Sequence, residues 1–246
     1  YPLRRQRQMC IRDSLPTSPS SELRLVLFGK TAMKPVVAGC GSGQVVPSYL
    51  PSPYDAIASK LQIRTPPKVC DMESSNTSAK LCEMPRRMPS ACNHLEQRCL
   101  SYDDGGSPHS IHALSTTVDV AIVFVSTSSC EGRDRESLAF DDAGDTLVDI
   151  VCLAGFKRVI VVAVAPGAVL MPWRDKVDAI TIAFMPGQEY ANALADILFG
   201  QVTQVSHYLE QCHCHVQPFR SGDSVSPFLA EARSLVNFHG PSDPVF

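Results

Sequence analysis

The chain has 246 residues, with 22 Lys and Arg against 25 Asp and Glu, giving a formal charge of −3. At 44% hydrophobic and 19% charged residues, the composition is that of a folded chain with one large domain or two small ones. This excludes a strongly basic nucleic-acid binder, a fully disordered chain and, for want of an apolar run of about 18 residues, a membrane-spanning helix.

The first residues, YPLRRQRQMCIRDS, are basic, have no apolar core and share no periodicity with the rest of the chain. Residues 1–14 are read as a non-native, adapter-like segment rather than a signal peptide. A start at Tyr1 instead of Met fits a piece of a longer protein. The domain proper is expected over residues 15–200. Leu23–Gly29 is a short apolar run ending in Gly, the pattern of a buried strand. Next comes a Gly-rich turn, Gly39-Cys40-Gly41-Ser42-Gly43. Ser52 then predicts a helix N-cap, with Pro53 at the first position and Asp55 completing a capping box. Tyr54, Ile57, Ala58 and Leu61 give that helix one apolar face.

Residues 63–99 contain Pro66, Pro67, Pro85, Pro89 and four cysteines with little periodicity, and are read as a long surface insertion. Asn76-Thr77-Ser78 within it is a glycosylation sequon that matters only in a secreted protein. Val118–Val125, Arg158–Ala165 and Ala179–Phe184 are β-branched runs, apolar on both faces, as strands of a covered parallel sheet are. Helical spacing recurs at Ala143, Leu147, Ile150, Val151 and Ala154, closed by Gly155, and at Tyr190, Leu194, Ile197 and Leu198, closed by Gly200. The alternation predicts an α/β fold: a three-layer α/β/α sandwich around a mostly parallel sheet. Residues 201–246 lose the pattern and are left as an unassigned tail. Cys212-His213-Cys214-His215 there lacks a second half-site at zinc spacing, so no metal site is expected.

Ligands of such a sheet bind beyond the carboxyl ends of its strands. The turn at 39–43 fails the dinucleotide, P-loop and nucleophile-elbow patterns, leaving a loop that permits close backbone approach. The loop after Val125 carries Cys130-Glu131-Gly132-Arg133-Asp134-Arg135-Glu136. Its charges suit acid–base chemistry, though a solvated loop accounts for them as simply. Cys130 has a further reading as a thiolate nucleophile, for which the sequence places no His partner. Trp173, the only tryptophan, is read as either a sugar-stacking ring or a packing residue.

The segments VDVAIVFVSTSSCEGRDRESLAFDD, VIVVAVAPGAVLMPW and AFMPGQEYANALADILFG resemble, in order and spacing, the C-terminal α/β-sandwich domain of glycoside hydrolase family 3. PVVAGCGSGQVVPSYLPSPYDAI and SYDDGG resemble the same domain upstream. The resemblance implies a retaining β-glucosidase-like enzyme acting on β-glucosides or cello-oligosaccharides through two carboxylates. Glu131, in the Glu-Gly-x-Asp-Arg motif, is then the general acid/base, with Gly132, Asp134 and Arg135 supporting its loop. Gly39, Gly41, Ser42 and Gly43 form the cleft loop. The nucleophile is an Asp of an N-terminal TIM-like barrel and has no counterpart in this chain, so the chain alone is expected to be inactive. A raised Glu131 pKa is expected from a cleft shielded by both domains. No cofactor is implied, and the parent enzyme is expected to be secreted. The sequence departs from the family at Cys40 and Cys130, where Gly is usual, and after Gly200. The alternatives are a non-catalytic carbohydrate- or partner-binding α/β module, and a thiol enzyme using Cys130.

Overall fold

A computed structural model describes residues 23–42, 44–65, 85–95 and 97–201. Six strands and four helices succeed one another as β1 (Leu23–Phe28), α1 (Pro53–Lys60), β2 (Arg87–Asn93), β3 (Arg98–Asp103), α2 (Pro108–Ser115), β4 (Val120–Ser126), α3 (Gly144–Leu153), β5 (Arg158–Val164), β6 (Ala179–Ala183) and α4 (Tyr190–Leu198). The strands form one sheet in the order β2-β3-β1-β4-β5-β6. Every pairing is parallel except that of β2 with β3.

The predicted both-faced burial holds along β4 and β5, and in β6 at Ala179 and Ile180. On one face Leu25, Leu27, Ile122, Phe124, Ile160, Val162 and Val164 pack under Tyr54 and Ile57 of α1 and Leu194 of α4. On the other, Val26, Phe28, Val123, Val125, Val161 and Ala163 pack under Ile111 of α2 and Val148 and Val151 of α3. Neighbouring residues of one strand therefore serve opposite cores, as the two-residue period requires. The result is the expected three layers. Burying each of the Val, Leu, Ile and Phe side chains among them is worth about 1.5–3 kcal/mol.

Helix α1 is set by local chemistry. The Ser52 hydroxyl accepts from Asp55 N–H at 3.1 Å, and the Asp55 carboxylate accepts from Ser52 N–H at 3.4 Å. Both halves of the predicted capping box are present, with Pro53 at the start.

Residues 87–93 and 98–99 of the expected insertion are instead part of the sheet. Strands β2 and β3 pair antiparallel, and β3 lies beside β1 along its whole length. Its alternation was hidden because Ser101 and Asp103 are buried polar residues whose partners are remote in sequence. The Ser101 hydroxyl donates to Leu25 O at 3.3 Å. Asp103 forms an ion pair with Arg87, Nε to Oδ2 2.7 Å, and accepts from Gly105 N–H at 2.8 Å. The Cys92–Cys99 disulfide staples the hairpin. Helix α2 also went unforeseen, because only Ser110 and Ile111 of its eight residues are buried. The sequon at 76–78, the tail beyond 201 and its Cys/His cluster lie outside the described residues.

Candidate active site

The strand order gives this sheet a switch point. From β1 the chain moves outward to β3 on one side, then crosses back to lay β4 on the other side of β1. The loops leaving β1 and β4 thus diverge from adjacent strands, the position where open α/β sheets accept ligands. These are the two loops that contain the Gly-rich turn and the charged cluster.

The structure joins them. Cys40 N–H donates to Ser129 O at 3.0 Å and Glu131 N–H donates to Cys40 O at 3.1 Å, so the loops pair like short parallel strands. A disulfide links Cys40 to Cys130, with the Cα atoms 4.5 Å apart. Ser42 N–H donates to Glu131 Oε2 at 2.6 Å. Gly39, Gly41, Ser42 and Glu131 are therefore assembled at one place, while Gly43 lies outside the described residues.

Gly41 is required by this assembly. Its φ is +97°, and a Cβ there would come within 2.4 Å of Glu131 Cβ and 2.9 Å of Glu131 Oε2. Both the backbone conformation and the approach of the carboxylate exclude a side chain. Gly132, with φ +73°, turns the chain immediately after Glu131.

The rest of the loop after β4 is tied at its base and flank. The Asp141 carboxylate accepts from the Thr127 hydroxyl at 3.2 Å and from Ser128 N–H at 3.1 Å. Arg135 donates through Nη2 to Ala168 O at 2.6 Å, on the loop between β5 and β6. Asp134, also expected to support the loop, is exposed, and it makes no hydrogen bond or ion pair among the described residues. The loop after β6 closes the other side. Gly187 N–H donates to Val37 O at 3.0 Å, and Gln188 Oε1 accepts from Ser48 N–H at 3.0 Å.

The structure decides between two pairs of readings that the sequence left open. Cys130 is no nucleophile in this structure, because its sulfur is committed to Cys40. Trp173 stacks on no sugar. It is fully buried, 6.1 Å from Phe140 between ring centroids, and donates through Nε1 to Asp145 Oδ1 at 2.6 Å.

Glu131 is exposed, and its carboxyl is held below the usual glutamate value, by the Ser42 hydroxyl first and the Ser42 N–H second. Both donors favour the charged form, and burial opposes them only weakly. In this chain by itself the residue is thus an oriented carboxylate, the opposite of the raised value expected in a covered cleft. Ser42→Ala removes the larger cause, so carboxyl-detected NMR should show the Glu131 titration moving up toward that of free glutamate. Linkage sets the sign: a depressed carboxyl stabilises the fold above the unfolded glutamate value, and that increment is lost as pH falls through the folded one. An unchanged midpoint would remove Ser42 from the site.

No His, Cys, Asp and Glu side chains cluster as a metal site among the described residues, and no helix there is long and apolar enough to cross a membrane. The Cys40–Cys130 pairing is the functional feature that sequence reasoning missed. The two cysteines stood in loops after neighbouring strands, but pairing cannot be deduced from spacing alone.

With this geometry established, comparison with known proteins gives a consistent result. The family model described as glycosyl hydrolase family 3 C-terminal domain matches residues 11–207. Probable β-glucosidase E of Aspergillus clavatus is 34% identical over 137 residues, covering 50% of this chain and 12% of that protein. β-Glucosidase B of Emericella nidulans is 43% identical over 89 residues, 34% of this chain and 10% of that protein. A β-glucosidase of Chaetomella raphigera superposes with a TM-score of 0.55 at 26% identity, over 78% of this chain and 26% of that one. The β-D-glucoside glucohydrolase of Trichoderma reesei gives 0.54 at 24% identity, over 76% and 26%, a likeness of fold. The chain thus spans about a tenth of the length of these curated relatives.

Proposed function

The chain belongs to the glycosyl hydrolase family 3 C-terminal domain family, and on that premise we propose that it contributes Glu131 as the general acid/base of a retaining β-glucosidase-like enzyme. The substrates are β-glucosides or cello-oligosaccharides. The second carboxylate, the nucleophile, comes from a TIM-like barrel of the same protein. The observation that carries this reading is the carriage of Glu131: an exposed carboxylate at the switch-point edge, aimed by the Ser42 N–H and given room by Gly41.

In the first half of the reaction the protonated Glu131 donates to the glycosidic oxygen while the barrel's carboxylate attacks the sugar. In the second half the ionised Glu131 takes a proton from the water that releases the glycosyl group. The Ser42 donors favour the charged form of Glu131, which is the form needed for that second half. The first half needs a higher pKa, which comes from cover: a barrel seated on this edge takes Glu131 out of water and disfavours its charge. Support for a seat at this edge comes from Val45, Val46, Tyr49, Leu50 and Phe184. All are exposed large apolar residues on the loops leaving β1 and β6, the kind of surface that marks a protein contact. The two disulfides among the described residues support an oxidising, extracellular setting for the parent enzyme.

The reading is tested by replacing Glu131 in the complete enzyme and comparing substrates with good and poor leaving groups. It also makes a statement about this chain alone. A retaining mechanism needs two carboxyl groups about 5–5.5 Å apart, so the purified chain should not turn over a nitrophenyl β-glucoside. Turnover above a Glu131→Ala control would contradict the division of the site between two domains.

A further inference from the structure

The Cys40–Cys130 disulfide lies one residue before Glu131 and two residues before Ser42, the residue that donates to it. It joins positions 90 residues apart in sequence. The loop carrying Glu131 is otherwise held at its base by Asp141 and on its far flank by Arg135. Between those anchors its ties to the Gly-rich loop, among the described residues, are hydrogen bonds: Cys40 N–H to Ser129 O, Glu131 N–H to Cys40 O, and the Ser42 N–H and hydroxyl to the Glu131 carboxylate. Cys40, Gly41, Ser42 and Glu131 are all exposed, so water competes for each of these bonds. A covalent link between the two loops removes the arrangements in which they separate. It fixes donor and acceptor of the Ser42–Glu131 bond at once. We infer that the Cys40–Cys130 disulfide is a positioning clamp that holds Glu131 at the distance and angle its proton transfers require.

This rests on the acid/base reading of Glu131, and the clamp itself touches neither sugar nor reacting atoms. Its loss therefore affects the step in which Glu131 moves a proton, more than the fold or the nucleophile. A displacement of about 1 Å in a catalytic group can cost on the order of 10²-fold. The loss should fall on substrates that need protonation.

The test uses the complete enzyme, with kcat/KM measured on cellobiose and on dinitrophenyl glucoside for wild type, the Cys40→Ser/Cys130→Ser double variant and Glu131→Ala. The double variant is expected to lose about tenfold or more on cellobiose and no more than about twofold on dinitrophenyl glucoside, within the range of general acid–base contributions. Dithiothreitol, which gives two electrons and two protons to the disulfide and closes into its own cyclic disulfide, should reproduce this split in wild type. Reoxidation should reverse it. The same treatment should leave the double variant unchanged. A Cys92→Ser/Cys99→Ser variant, which lacks the hairpin staple only, should show no split, which separates the clamp from disulfides in general. Equal losses on both substrates, no loss on either, or absence of a Cys40–Cys130 peptide in a non-reducing digest would overturn the clamp. If Glu131→Ala shows the split and the double cysteine variant does not, the clamp fails alone. If Glu131→Ala shows none, the acid/base reading fails with it.

Discussion

Glu131→Ala in the complete enzyme is expected to lose about 10²–10⁴-fold in kcat/KM on cellobiose, and little on dinitrophenyl glucoside. The difference lies in the leaving group. A sugar alkoxide is too basic to depart without a proton, whereas dinitrophenolate departs without help. Release of the glycosyl group should then limit the rate on the activated substrate, because no base is left to deprotonate water. An added anion such as azide, which needs no deprotonation, should attack the glycosyl-enzyme and restore part of that rate. Equal losses on both substrates for Glu131→Ala, without azide rescue, would return Glu131 to a solvated surface loop.

The largest expected effect on stability belongs to Trp173. Its ring is fully buried against Phe140, in the core that also holds Val148 and Val151 of α3. Its Nε1 shares Asp145 with Phe140 N–H, which lies 3.1 Å from Oδ2. One carboxylate near the start of α3 therefore joins the end of the Glu131 loop to the β5–β6 connection. Trp173→Ala should cost about 3–5 kcal/mol through the lost contacts and the cavity. Measured against a total stability of about 5–15 kcal/mol, that is a fifth or more of what holds the fold. At roughly 2–4 °C per kcal/mol for a chain of this size, the Tm should fall by about 6–20 °C. Trp173→Phe keeps most of the ring and loses the hydrogen bond, so it should fall between wild type and the alanine variant. A thermal melt of Trp173→Ala within a degree or two of wild type would mean that the ring does not carry this packing.

What could be read in the chain beforehand divides along physical lines. Strands β4, β5 and β6 and helix α1 were legible because their causes are local. β-Branched runs apolar on both faces belong in a covered parallel sheet, and Ser52, Pro53 and Asp55 start a helix within four residues. The motif around Glu131 and the Gly-rich turn were legible as residues, and each ends up where the strand order puts it. Other features depended on partners that spacing does not reveal. Strand β3 is polar at Ser101 and Asp103 because Leu25 and Arg87 receive those groups. Trp173, open by its position to sugar stacking or to packing, is a core residue because its ring packs among the apolar side chains under α3 while Asp145 accepts its indole N–H.

The sequence by itself determined the fold class and the layering, since periodicity and capping are properties of short stretches of chain, while Glu131 stood out as an acid/base candidate only through the resemblance of its Glu-Gly-x-Asp-Arg motif to the family's. Only the tertiary structure decided that Cys40 meets Cys130, that Gly41 must lack a side chain to admit Glu131, and that the Glu131 carboxyl is exposed and accepts from Ser42 N–H. Those three facts arise from two loops 90 residues apart, brought edge to edge because β1 and β4 are neighbours in the sheet. Which strands become neighbours depends on how the whole chain buries its two apolar faces at once.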